Sequence, residues 1–103
     1  MSGNDLRLLN AAFEGDLAGC RMALSLEYDI NITGIDQITT LFIACFKGHL
    51  EIVVLLLLEK DCNIDQAMDD GRTPLFVACQ KGHLDIVQLL LENQCDLDKA
   101  VDD

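Results

Sequence analysis

The chain has 103 residues, half of them apolar, with eighteen acidic against seven basic side chains and a formal charge of −11. That is chain enough for one domain with one core, and too apolar for a disordered acidic tail. The acidic excess leaves no cluster of Lys and Arg of the kind on which affinity for phosphate backbones rests, so neither nucleic acid nor an anionic membrane is an expected partner.

No apolar run approaches the ~20 residues of a membrane span; the longest leucine run, Leu55 to Leu58, is bracketed by Glu51 and by Glu59-Lys60. Met1 to Asp5 shows neither a basic nor an apolar signal segment. An intracellular location is expected, cytoplasmic with the nucleus left open.

In chain order, three related units follow. Residues 5–33 open with Asp5-Leu6-Arg7-Leu8-Leu9-Asn10-Ala11-Ala12, a comparatively polar first helix. A second helix over Asp16 to Leu26 is the least regular, with Gly19 inside it and Ala23 at a leucine position. An interior glycine weakens a helix by roughly 0.5–1 kcal/mol relative to alanine, so this end is expected to be the softer one. Residues 34–67 repeat the plan with Gly48-His49-Leu50 between two apolar segments.

Residues 68–100 carry the clearest copy. Asp70-Gly71 marks a turn, Thr73 is a capping hydroxyl before Pro74 at a first helical position, and Gly82 ends a helix of about two turns. Leu84, Val87, Leu90 and Leu91 then recur at helical spacing. Gly15, Gly48 and Gly82 are spaced by 33 and then 34 residues, as are Ala11, Ala44 and Ala78. The extra residue is assigned to the second helix of copy two, where four leucines stand in a row. Asp29-Ile30-Asn31, Asn63-Ile64-Asp65 and Asp96-Leu97-Asp98 follow the second helices and suit protruding β-turn fingers. Residues 101–103 read as the start of a further finger, leaving a third repeat without a polar cap and therefore open to self-association.

Several residue types thus recur in fixed register: the TPLF-x-A core from Thr73 to Ala78, Gly48-His49-Leu50, Gly82-His83-Leu84 and the Leu-rich second helices. In these features the chain resembles ankyrin repeats over residues 5 to 103. The resemblance implies an all-α solenoid of stacked helix-turn-helix units with β-turn fingers, and a non-catalytic module that binds another protein through finger tips and the concave face of its first helices. There are departures. Leu9, Phe42 and Phe76 stand where the family pattern has a histidine, Gln37 and Thr40 replace the counterparts of Gly71 and Pro74, and Glu27, Asp61 and Gln94 replace a glycine after the second helix. Each departure lowers the expected stability.

By register, the side chains left free for a partner are Phe13 and Glu14 with Asp5 in the first copy, and Ile35, Asp36, Ile38, Phe46 and Lys47 in the second. In the third they are Asp69, Asp70, Arg72, Gln80 and Lys81. Large apolar residues grouped on one face and ringed by charge mark interaction sites. Against this, Phe13 can fold back on the first repeat and Ile38 can pack on Phe42.

The five cysteines, Cys20, Cys45, Cys62, Cys79 and Cys95, are explained by repetition. Equivalent positions in stacked helices lie about 10 Å apart, beyond the ~7 Å reach of a disulfide, so free thiols are expected. Cys45 with His49 and Cys79 with His83 share a spacing that could suggest metal or thiolate chemistry, but the intervening glycine breaks the helical geometry. No cofactor, no metal and no catalytic residue is expected. A passive solenoid segment, with activity in flanking sequence, is the alternative to a recognition module.

Overall fold

A computed structural model describes residues 6–95. Asp5, Asp96-Leu97-Asp98 and the finger start at 101–103 lie outside the described residues. Among those described there are six α-helices: α1 (Arg7–Glu14), α2 (Leu17–Ser25), α3 (Thr40–Lys47), α4 (Leu50–Leu57), α5 (Pro74–Gln80) and α6 (Leu84–Glu92). They form two rows, with α1, α3 and α5 packed in sequence and α2, α4 and α6 behind them.

Helix starts follow the capping residues. Thr39 and Thr73 accept hydrogen bonds from the amides of Phe42 and Phe76, and Pro74 occupies the first turn of α5. Asp16 caps α2 by accepting from the Gly19 amide at 2.9 Å. A β-carbon on Gly19 would stand 2.5 Å from the Asp16 carboxylate, so the glycine that weakens the helix interior also makes room for its cap.

Each helix pair buries its stripe only against the next. The core runs through Leu8, Leu9, Ala12, Cys20, Ala23, Leu41 to Cys45, Ile52, Val53, Leu56, Leu75, Val77, Ala78, Ile86 and Leu90. In α6 the buried pair is therefore Ile86 and Leu90, a correction to the stripe read from the sequence: Leu84 is 74% exposed and Leu91 is 43% exposed. They are more exposed than their counterparts Leu50 and Leu57 in α4, which are half-buried. The first unit is hollower. Gly19 and Ala23 stand where Ile52, Ile86 and Leu56, Leu90 stand later, and the outer side of α1 and α2 carries a groove of about 530 Å³ beside Asn10, Met22 and Leu26.

Glycine and histidine link neighbouring units. Gly15, Gly48 and Gly82 all have φ between 75° and 78°. A β-carbon on Gly15 would meet the His49 ring at 2.9 Å, and one on Gly48 would meet the His83 ring at 2.7 Å. The recurring Gly-His pair is thus read across the interface: each histidine packs on the glycine of the preceding unit. His83 Nε2 donates to the Phe46 carbonyl at 3.2 Å. Nε2 of His49 is buried without a partner, as is the Thr40 hydroxyl.

The second helices end in two ways. Glu27 and Gln94 take the left-handed conformation at φ 64°, and the next amides, Tyr28 and Cys95, bond back to Ala23 and Leu90. Such a non-glycine costs about 1 kcal/mol. Asp61 does not take it. The extra residue of copy two lies in the turn after α4, which is no longer than α6, and there Cys62 bonds to Glu59 instead. Asn31 clamps this displaced turn, donating to the Asp61 carbonyl at 2.7 Å and accepting from the Asn63 amide at 2.8 Å.

The fingers are tight hairpins. Gly34 donates to Ile38, Met68 donates to Arg72, and Thr33 and Thr39 form an antiparallel bridge. Asp69 donates to the Asp36 carbonyl at 2.9 Å, joining one finger to the next.

Two contrasts follow for urea denaturation. Gly48→Ala is expected to lose about 2 kcal/mol, from backbone strain and displacement of His83, whereas Gly82→Ala is expected to lose about 1 kcal/mol from strain alone. Thr39→Val is expected to lose about 1 kcal/mol with its cap, while the neighbouring Thr40→Val, which removes an orphaned hydroxyl, is expected to be neutral or to gain about 1 kcal/mol.

Candidate functional site

The exposed ends of the first-row helices bring together aromatic rings and lysines from adjacent units. Phe13 near the end of α1 is 52% exposed and Phe46 in α3 is 39% exposed. Neither ring folds back into the core. Lys47 Nζ lies 4.5 Å from the centre of the Phe13 ring, and Lys81 Nζ lies 4.8 Å from that of Phe46. Register explains the ladder: Phe13, Phe46 and Gln80 share one position and Glu14, Lys47 and Lys81 the next, so stacking sets Lys47 and Lys81 over the phenylalanine of the unit before. Such contacts contribute about 0.5–1 kcal/mol at exposed sites. Glu14 and Gln80 are exposed at the ends of α1 and α5.

The finger residues divide. Ile35 is 83% exposed at a tip, next to Asp36 and Gln37 with φ of 57° and 65°. Gln37 thus takes the positive φ that Gly71 supplies in the next finger. Ile38 is half-buried and packs on the core.

Asp69 and Asp70 are exposed, and Arg72 is committed within the chain. Its Nε donates to Asp70 at 2.8 Å, its guanidinium carbon lies 5.6 Å from the Phe42 ring, and its Nη2 lies 3.8 Å from Met68 Sδ. The Arg72 amide, donating at 3.0 Å, is the main reason the Asp70 carboxyl sits below its ordinary pKa, with the guanidinium adding to it. At the finger base, Arg72 lies against the ring of buried Phe42, the residue that stands where the family pattern has a histidine. Sequence reasoning missed that partnership, although the finger position of Arg72 was visible.

The cysteines are free. Burial pushes the Cys20 and Cys62 thiols up to about 11 and Cys45 higher still, which disfavours thiolate. Cys79 is exposed, although Cys45 at the same register position is buried under the third unit. Among the described residues no group of three or more His, Cys, Asp or Glu is placed to hold a metal ion, and no helix is long and apolar enough to cross a membrane.

The two phenylalanines of α3 give a direct check on this assignment. In thermal or urea melts, Phe46→Ala is expected to lose about 1 kcal/mol with its lysine contact, and Phe42→Ala about 3–5 kcal/mol with its core contacts.

Comparison with the curated proteins gives no match. A family model described as ankyrin repeats, in three copies, matches residues 8–101. Members of that family are generally protein–protein interaction modules and typically non-catalytic. With six helices in two rows, cross-unit Gly-His contacts and a match over nearly the whole sequence, the chain belongs to the ankyrin-repeat family.

Proposed function

We propose that this chain is a non-catalytic recognition module that binds a segment of a partner protein along the first-row helices and finger tips. The observation that carries this reading is the pair of half-exposed phenylalanines, Phe13 and Phe46, each with a lysine from the next unit over its ring. Aromatic side chains in contact with cations offer apolar area and charge at one place, and such residues anchor protein interfaces more often than aliphatic ones do. Exposed Ile35, Asp36, Asp69 and Asp70 at the tips add a second, acidic rim. Gln80 replaces the aromatic in the third unit, so the anchor is placed over the first two.

Arg72 and Ile38 are given supporting roles. Arg72 stiffens the finger through Asp70 and Phe42, and Ile38 seats the finger on the core. Rigid fingers lose less conformational freedom on binding.

The test is affinity capture from cytosol, with partners identified by mass spectrometry and confirmed by direct titration. Wild type is compared with Phe46→Glu, with Lys47→Glu/Lys81→Glu, and with Glu51→Gln on the second-row helix as control, after all have been shown to melt cooperatively. A partner kept by wild type and the control but lost by both face variants is the expected result. Equal capture by all four proteins would remove the face from consideration and favour a passive solenoid segment.

A further inference from the structure

Glu14, Lys47 and Lys81 share one register position, at or just past the C-terminal ends of α1, α3 and α5, and all three are exposed. None of them makes an ion pair among the described residues. The first row therefore presents charge in the order negative, positive, positive from the first unit to the third, in steps of about 10 Å, the distance between packed helices. Half-exposed Phe13 and Phe46 lie beside this line, with the lysines 4.5 and 4.8 Å from their ring centres. In a chain with eighteen acidic and seven basic residues, two adjacent lysines set over rings and away from carboxylates are a local exception to an acidic surface.

A partner segment lying across the row has to place its own charges at the same step. A β-strand returns to one face every second residue, about 6.7 Å, and then at about 13 Å, and matches at neither. A polyproline II helix, with three residues per turn and a rise of about 3.1 Å, returns to one face every ~9 Å. It is also the backbone form that docks on aromatic-lined surfaces, and in proline-rich sequence it is formed before binding, so little conformational freedom is lost. An α-helix meets the step only once in seven residues, at about 10.5 Å, and brings one side chain to the row for every two turns.

We infer that the partner segment, on the recognition reading above, is a polyproline II stretch whose charged residues stand at every third position and read basic, acidic, acidic from the first unit to the third. The basic residue meets Glu14, the two carboxylates meet Lys47 and Lys81, and the intervening proline or aliphatic side chains cover the open parts of the Phe13 and Phe46 rings. The row fixes the order of charges in space, and a segment without internal hydrogen bonds meets it in one chain direction or the other.

The probes are synthetic proline-rich peptides with a lysine, a glutamate and a second glutamate at every third position, made in both chain directions. They are titrated to millimolar concentration into the isotope-labelled full chain at low salt and followed by NMR. Saturable shifts at Phe13, Phe46, Lys47 and Lys81 are expected for at least one direction, weakening as salt is added. An isomer of the same composition with its charges at every second position is expected to bind about tenfold more weakly, which tests the spacing on the wild-type chain alone. Lys81→Glu, once shown to melt cooperatively, is expected to weaken binding about tenfold and to recover it with a peptide whose last glutamate is replaced by lysine. No saturable shift from either direction, equal binding by the isomer, or tighter binding by an alanine-rich helix carrying the same charges seven residues apart would overturn the inference. If the peptides fail while partners captured from cytosol are still lost by Phe46→Glu, the recognition face stands and the polyproline II segment falls; if capture is also unchanged by Phe46→Glu, both fall.

Discussion

Every helix pair in this chain depends on the one beside it, and the contact that fixes the relation is a histidine ring lying on a glycine of the preceding unit. The glycine is doubly constrained, by a positive φ that ends the first helix and by the ring that leaves no space for a β-carbon. Because the histidine begins the second helix, the contact sets the position of that helix against the first row of the previous unit. The stacked core from Leu8 to Leu90 follows from that position. It is a one-dimensional arrangement, in which each unit is stabilised chiefly by its nearest neighbours.

The same translation builds the surface. Lys47 and Lys81 hold the position one after that of Phe13, Phe46 and Gln80, and each comes to rest over the aromatic of the preceding unit, so the Phe13 and Lys47 contact and the Phe46 and Lys81 contact arise from stacking without a separate design. In a chain of net charge −11, this gathers basic side chains beside exposed rings on one face, with carboxylates at the finger tips. The fingers are held by different means. One uses Gly71 in its turn and Arg72 on Phe42, while the other accepts left-handed Asp36 and Gln37. The backbone bond between Asp69 and Asp36 then couples the two.

Where the repeats are irregular, local chemistry compensates. Glycine is absent after all three second helices, yet Glu27 and Gln94 adopt the required conformation, because the ensuing amide bonds to Ala23 or Leu90 offset part of the strain. The middle unit has an extra residue and closes its turn otherwise, with the Asn31 side chain holding it from the unit before. Asn31 lay within a tripeptide that recurs in the sequence, but its role could not be read there, since both its partners are thirty or more residues away.

The sequence by itself determined the period, the helix start at Thr73, the glycine stops and the family, because capping, turn conformation and apolar spacing act over a few residues and recur in register. It also placed Phe13 and Phe46 at exposed positions and Ile35 at a tip. Only the tertiary structure decided which residues of a stripe are covered. Cys45 and Cys79 are register equivalents with opposite burial, and Leu84 and Leu91 belong to the helical stripe yet face outward. Periodicity identifies the apolar side of a helix, but burial depends on whether another unit lies against it, and that is a property of neighbours in space.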